Sequence, residues 1–158
     1  MLNLKNLTGV LFKGEFYRNP QAVAEELKAL EKYPDQFTKT EANAIQRDAG
    51  HFEFELRIFT HNPNSRLFIA GAQDASGESG IVGLIKNLEI QFNKIYSTDT
   101  FALLHDKDRT PDFAINFRVI HYFGGISQLD NIITAGGKYL MGYYNERMGG
   151  FWRMDSVQ

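Results

Sequence analysis

The sequence predicts an α+β protein built from two related strand–helix–strand–strand modules, with antiparallel sheet and helices on one face. Three observations lead there. In residues 112–123, Phe113, Ile115, Phe117 and Val119 fall on every second position, the period of a strand with one face in a core. In residues 51–59, Phe52, Phe54, Leu56 and Ile58 do the same, alternating with Glu53, Glu55 and Arg57. Placing Arg57 on Arg118 aligns the two stretches at an offset of 61 positions, and that offset also lays one helical stripe over another upstream. Helix over helix and strand over strand reads as an internal duplication.

Residues 4–16 open the chain as a strand, with Val10, Leu11 and Phe12 at its centre and Gly9 and Gly14 as bends or ends. A helix over 20–33 follows. Val23, Ala24, Leu27 and Leu30 form its stripe, Asn19 caps it, and Pro20 suits the first helical position. It stops near Tyr33, because Pro34 disfavours helical geometry at the residue before it. Beyond a polar loop, residues 41–46 read as a short strand, and Asp48-Ala49-Gly50 as a turn into 51–59, which suggests a hairpin. His61-Asn62-Pro63-Asn64-Ser65 breaks the chain and marks a boundary, giving a first module over 1–60 and a second over 61–158 within one compact domain.

The second module opens with a strand at 66–71. A Gly/Ser-rich approach at 74–80 leads into a helix over 80–96 with the stripe Ile81, Leu84, Ile85, Leu88, Phe92 and Ile95. Lys86, Asn87, Asn93 and Lys94 fall away from that stripe, Ser79 is the N-cap, and Ser97 with Thr98 ends the pattern. Strands at 101–105 and 112–123 follow, joined by a turn through 106–111. Residues 136–144 then read as a further leading strand, preceded by an extended run at 130–134. The chain's last strand either completes the sheet of the second module or begins a third module whose remainder is missing.

Composition bounds the function. At 158 residues the chain is one ordinary domain or two small fused modules. Apolar residues at 43% and charged residues at 23% are globular rather than disordered composition. A net charge of −2 argues against nonspecific nucleic-acid binding, which runs on excess Lys and Arg. With no cysteine there is no disulfide, thiol nucleophile or cysteine metal site. No apolar run resembles a signal peptide or a membrane span, so a cytoplasmic protein is expected.

The order of elements over residues 66–144, with Ala135-Gly136-Gly137-Lys138-Tyr139 at the entry to a leading strand, resembles the gyrase-inhibitor-like effector-binding domain. That domain forms the drug-sensing part of MerR- and AraC-type bacterial transcription regulators and also occurs alone. The resemblance implies two strand–helix–strand–strand modules enclosing a multidrug-type pocket. It also implies an acidic residue in the strand equivalent to 112–119, where this chain carries Asn116. Glu53 or Glu55, on the matching strand of the first module, is then the acid available instead. No helix-turn-helix with basic flanks is visible, so no direct nucleic-acid contact is expected through this chain.

The residues make a case for a ligand independently. Two sheets meeting leave a concave seam, and aromatic-lined clefts with a few polar groups are the usual small-molecule site. Aromatic residues reach 13% and concentrate late in the chain in Tyr139, Tyr143, Tyr144, Phe151 and Trp152. A carboxylate beside such rings suits a flat organic cation. The expected ligand-binding set is therefore Glu53, Glu55, Asn116, Tyr139, Tyr143, Tyr144 and Trp152, with no catalytic residue, metal or cofactor. The expected partner is a small aromatic molecule, and a homodimer is compatible with the sequence. Three alternatives stand beside this reading. The rings could finish a core or cover an interface; an exposed aromatic patch could serve a protein-interaction module of inhibitor or immunity type; or Glu53 or Glu55 could act as general base in a hydrolase, which needs an apolar pocket and a raised pKa.

Other motifs fall short. His105, Asp106 and Asp108 lie in a turn without metal-ligand spacing. No Gly-x-Ser-x-Gly accompanies His51, His61, His105 or His121. The glycines of 71–80 lack the lysine and spacing of a phosphate loop.

Overall fold

Consecutive strands pair antiparallel all the way round and close into a barrel of eight, β1 to β8 in sequence order. A computed structural model describes residues 5–75, 77–96, 119–141 and 145–158. The strands are β1 (Leu11–Arg18), β2 (His51–His61), β3 (Leu67–Asp74), β4 (Gly77–Lys86), β5 (Glu89–Tyr96), β6 (Val119–Leu129), β7 (Ile132–Met141) and β8 (Asn145–Ser156). Between β1 and β2 the chain forms α1 (Pro20–Lys32), a short 3-10 turn at Pro34–Gln36, and α2 (Lys39–Asp48). β8 pairs with β7 on one side and β1 on the other, and this closes the ring.

The expected α+β architecture of two modules is therefore corrected to a single closed antiparallel barrel. The decisive stretch is 77–96. Ile81, Leu84, Ile85, Leu88, Phe92 and Ile95 fit a helical period, but only Ile81, Ile85 and Phe92 of them are buried, and the burial alternates with a period of two along two strands. Ser79, Ile81, Gly83 and Ile85 face inward on β4, and Ile90, Phe92, Lys94 and Tyr96 face inward on β5. Isoleucines and two glycines weaken a helix, whereas β-branched residues suit a pleated surface. Asn87 takes a left-handed φ of 57° and, with Leu88, turns the chain between Lys86 and its partner Glu89. With a hairpin in place of the second helix, the 61-residue offset lays α1 over two strands, and the duplication is not supported.

The first helix is as expected: the Asn19 side chain accepts from the Gln21 and Ala22 amides, and Pro20 opens α1. The second is a correction. Residues 41–46 lie in α2, started by a capping box in which Thr38 accepts from the Glu41 amide and Glu41 accepts from the Thr38 amide. The turn at 48–50 thus joins helix to strand rather than closing a hairpin. The division at residue 60 falls inside β2, whose pairing with β3 carries the sheet across it. Of residues 130–144 the described ones contribute the turn at Asp130 and Asn131 and β7 up to Met141, and β8 closes the barrel. The strand expected at 101–105 and most of that at 112–123 lie outside the described residues.

Inside, large rings cross the axis over glycines. A Cβ on Gly83 would sit 2.6 Å from the Phe68 ring, and one on Gly14 2.6 Å from the Phe54 ring. Outside, Lys13, Glu53, Glu55, Arg57, Gln73, Glu89, Lys138, Arg153 and Asp155 dominate the strands. Apolar side chains such as Phe59, Leu67, Ile69, Val82, Leu84 and Ile95 share that outer face. Among the described residues no helix is long and apolar enough to cross a membrane.

The two ends differ. Tight turns close one end, where the segment before β1 tucks in: Leu7 is buried, its amide donates to His61 Nδ1 at 2.9 Å, and the His61 amide donates to Thr8 Oγ1 at 3.0 Å. α1 and α2 lie at the opposite end, with Arg18 holding Glu26 through two hydrogen bonds of 2.7 and 2.9 Å.

Two outcomes follow from this packing. Gly83→Ala places a methyl 2.5 Å from both the Gln91 carbonyl and the Phe92 Cβ. It should cost about 1–3 kcal/mol in denaturant unfolding, as overpacking does. Gly80→Ala, with nothing within 4 Å of the new carbon, should be neutral or slightly stabilising; equal losses for the two would contradict the packing described. Burial lowers the His61 pKa below its ordinary 6.5. The folded state thus favours the neutral ring, so stability is full above 6.5 and declines as pH falls below it, because the unfolded chain takes up the proton first. Between about pH 7 and pH 5 the melting temperature should fall further in the wild type than in His61→Asn, which keeps an acceptor without titrating. Parallel declines would rule His61 out as the titrating group.

Candidate ligand site in the barrel lumen

Strand alternation decides which side chains reach the lumen, and on β3 and β5 it delivers charge. Asp74 and Tyr96 are the last residues of their strands, at the end of the barrel that carries the helices, and Lys94 is the next inward position below Tyr96. Lys94 Nζ lies 2.7 Å from Asp74 Oδ2, with the two side chains only 4% and 3% exposed. The Tyr96 hydroxyl donates to the same Oδ2 at 2.7 Å. The ammonium also sits 4.5 Å from the centre of the Tyr96 ring and 5.2 Å from that of Phe16.

A buried charge pair of this kind is costly, because desolvation of two ions offsets much of their attraction. Burial pulls the Lys94 pKa down, against the upward pull of the Asp74 charge and hydrogen bond. Burial raises the Tyr96 phenol far above its usual value, with Tyr122, Asp74 and Tyr139 adding to the shift. Tyr122, fully enclosed, is raised by burial first and then by Tyr139 and Asp74. Three phenols and a carboxylate thus feel one another across one small space. Among the described residues the Tyr122 hydroxyl has no hydrogen-bond partner, although the residue is only 3% exposed.

Aromatic rings pack beside the cluster and on one another. Phe92 and Tyr122 stack at 4.7 Å, Tyr122 and Tyr139 at 5.5 Å, and Trp152 meets Phe92 edge-on at 5.3 Å. Phe16 meets Tyr139 edge-on at 5.9 Å. The Trp152 indole donates to the Lys138 carbonyl at 3.0 Å, which fixes the ring.

Of the site residues expected from sequence, the barrel brings Tyr139 and Trp152 together in the lumen and leaves Glu53 and Glu55 outside. Those glutamates border an open groove of about 960 Å³ lined from β1, β2, β3 and β8, with Phe52, Phe54 and Asp74 among its residues. There Glu55 pairs with Lys13 at 3.6 Å and Glu53 stands directly opposite Glu15. Both carboxylates stand on the exposed side of β2, away from Tyr139 and Trp152. Asn116, Tyr143, Tyr144 and the turn residues His105, Asp106 and Asp108 lie outside the described residues. Asp74, Lys94, Tyr96 and Tyr122 were not expected. A helical reading of 80–96 sends Lys94 to the polar side; the strand reading puts it at an inward position between Phe92 and Tyr96, and that anomaly is the signal that marks it.

Breaking the pair should be expensive. Asp74→Asn or Lys94→Met should each destabilise the protein by roughly 3–5 kcal/mol, because each removes one side of a buried ion pair. The double variant Asp74→Leu/Lys94→Met should recover most of that loss in denaturant unfolding. A double variant as unstable as the sum of the singles would show that the two groups do not form a coupled pair.

Comparison of the chain with protein-family models, with curated proteins and with solved structures finds no match. The chemistry of the lumen is therefore what bears on function.

Proposed function

We propose that this protein is a non-catalytic binder of a small aromatic molecule, held in the lumen at the helix-bearing end of the barrel. An eight-stranded barrel has an interior just wide enough either to fill with side chains or to take one small ligand. The observation that carries the reading is the buried cluster itself. An apolar residue at position 94 would complete the alternation at no electrostatic cost, yet the chain places an ammonium, a carboxylate and an unpartnered phenol there. Polar groups converging within an aromatic enclosure are the usual mark of a small-molecule site.

A second reading rests on a different surface. On the outer face, Leu67 pairs with Leu84 and Ile69 with Val82, all between 38% and 48% exposed, and Phe59 covers Gly71 beside them. This aliphatic patch supports a protein-interaction module.

Trp152 separates the two. It is the only tryptophan and is 2% exposed among the lumen rings, so its emission reports on the lumen alone. Titration with planar aromatic compounds, both cationic and neutral, should give a saturable change at micromolar concentration. That change should weaken about tenfold in Tyr122→Phe, the loss of one buried hydrogen bond to a ligand, and persist in Val82→Lys. A flat response across the panel, from protein that melts normally, would turn the assignment to the outer aliphatic face.

A further inference from the structure

We infer that the outer face of β3, β4 and β5 docks against a second copy of this chain, the two barrels related by a twofold axis that crosses the strands at Val82. This rests on the interaction reading of the aliphatic face, names its partner, and is independent of the lumen.

The ladder register arranges that face in rows. Ile69, Val82 and Asn93 form a middle row. Leu67, Leu84 and Gln91 lie on the side of the β4–β5 turn, and Gly71, Gly80 and Ile95 on the side of the helices. No charged residue falls in these three rows, whereas the outer faces of β1, β2 and β8 carry Lys13, Glu15, Glu53, Glu55, Arg153 and Asp155. Aliphatic side chains gathered in water on one side of a barrel mark an interaction surface. In the closed ring every strand already has a neighbour on each side, so a partner cannot add a strand and must dock side chain against side chain.

The rows also say which partner. Turning one face over onto another about the middle row runs the strands antiparallel, sets Val82 on the partner's Val82, and lays the leucine row of each copy over the glycine row of the other. Leu84 then faces the open space above the partner's Gly80, a position where a Cβ would have nothing within 4 Å. Leu67 meets the ring of the partner's Phe59, which covers Gly71. Four positions either side of Val82, the same operation brings Lys86 over the partner's Glu78, twice by symmetry. Lys86 and Glu78 are exposed, and neither has an ion-pair partner among the described residues. Bulk against void and cation against anion, matched within one surface, is the self-complementarity that a twofold interface requires. Two convex walls touch over only a few strands, so the contact belongs to the small, weak class, with a dissociation constant on the order of 10–100 μM.

Analytical ultracentrifugation of the full chain, from about 5 μM to about 1 mM, tests this against that affinity. The wild type should pass from monomer to dimer across that range. Val82→Lys, which sets two ammonium groups against each other at the axis, should stay monomeric and still melt as a folded protein. Glu78→Lys and Lys86→Glu should each weaken the dimer roughly fivefold, because each sets up two like-charge pairs. The double variant Glu78→Lys/Lys86→Glu should recover the wild-type affinity to within about twofold, since it exchanges the two charges without unpairing them. A dimer indifferent to Val82→Lys, or a double variant weaker than both singles, overturns this interface. A wild type that stays monomeric throughout also overturns it, and an apolar fluorescent dye then separates the two readings. Dye bound by the wild type and lost in Val82→Lys leaves the face as a surface for another protein; no such difference overturns the interaction reading as well.

Discussion

Closure of eight strands into one ring imposes a single demand on the inward half of every strand: it must fill one narrow lumen. The glycines show how that demand is met. Gly14 and Gly83 leave room for the rings of Phe54 and Phe68, so that large side chains are matched by positions with none. Filling to this density is what makes inward positions intolerant of even a methyl group. On the water side the same strands carry Lys, Arg, Glu and Asp, and there Gly80 has open space around it.

Against that filling, the Asp74–Lys94–Tyr96 cluster is the exception that needs a reason. Burying two charges gives a fold little net stability compared with apolar residues of the same volume. Asp74 and Tyr96 end their strands at the barrel end where α1 and α2 lie, while the opposite end carries the Leu7–His61 contact and the two-residue turns of β4–β5 and β6–β7. One end is held by local hydrogen bonding and the other concentrates the chemistry.

Several parts of this arrangement were legible in the residues. Asn19 and Pro20 announce the start of α1, and the alternation Phe52, Phe54, Leu56, Ile58 announces β2, because capping and half-burial are local effects written in neighbouring positions. Tyr139 and Trp152 stood out as aromatics in a chain rich in them, and both reach the lumen. Thr38 and Glu41 held an equally local capping signal for α2. The stretch 77–96 held two signals at once. Six apolar residues matched a helical stripe, and Ile81, Gly83, Ile85, Ile90 and Phe92 matched strands.

Sequence by itself determined the local elements whose signals are unambiguous, the absence of any thiol chemistry, and the aromatic richness from which the lumen is made. Tertiary structure decided the rest. Whether 77–96 was helix or hairpin depended on neighbours to receive its backbone hydrogen bonds, and β3 and β6 supply them through registers that no local pattern contains. Closure of β8 onto β1 joins the two ends of the chain, a contact between residues such as Phe12 and Ser156 that periodicity does not encode. The meaning of the charged residues followed from that closure. Once the ring is shut, Glu53 and Glu55 stand in water and Lys94 stands inside, because in a barrel a side chain's environment is set by which side of the wall its position faces.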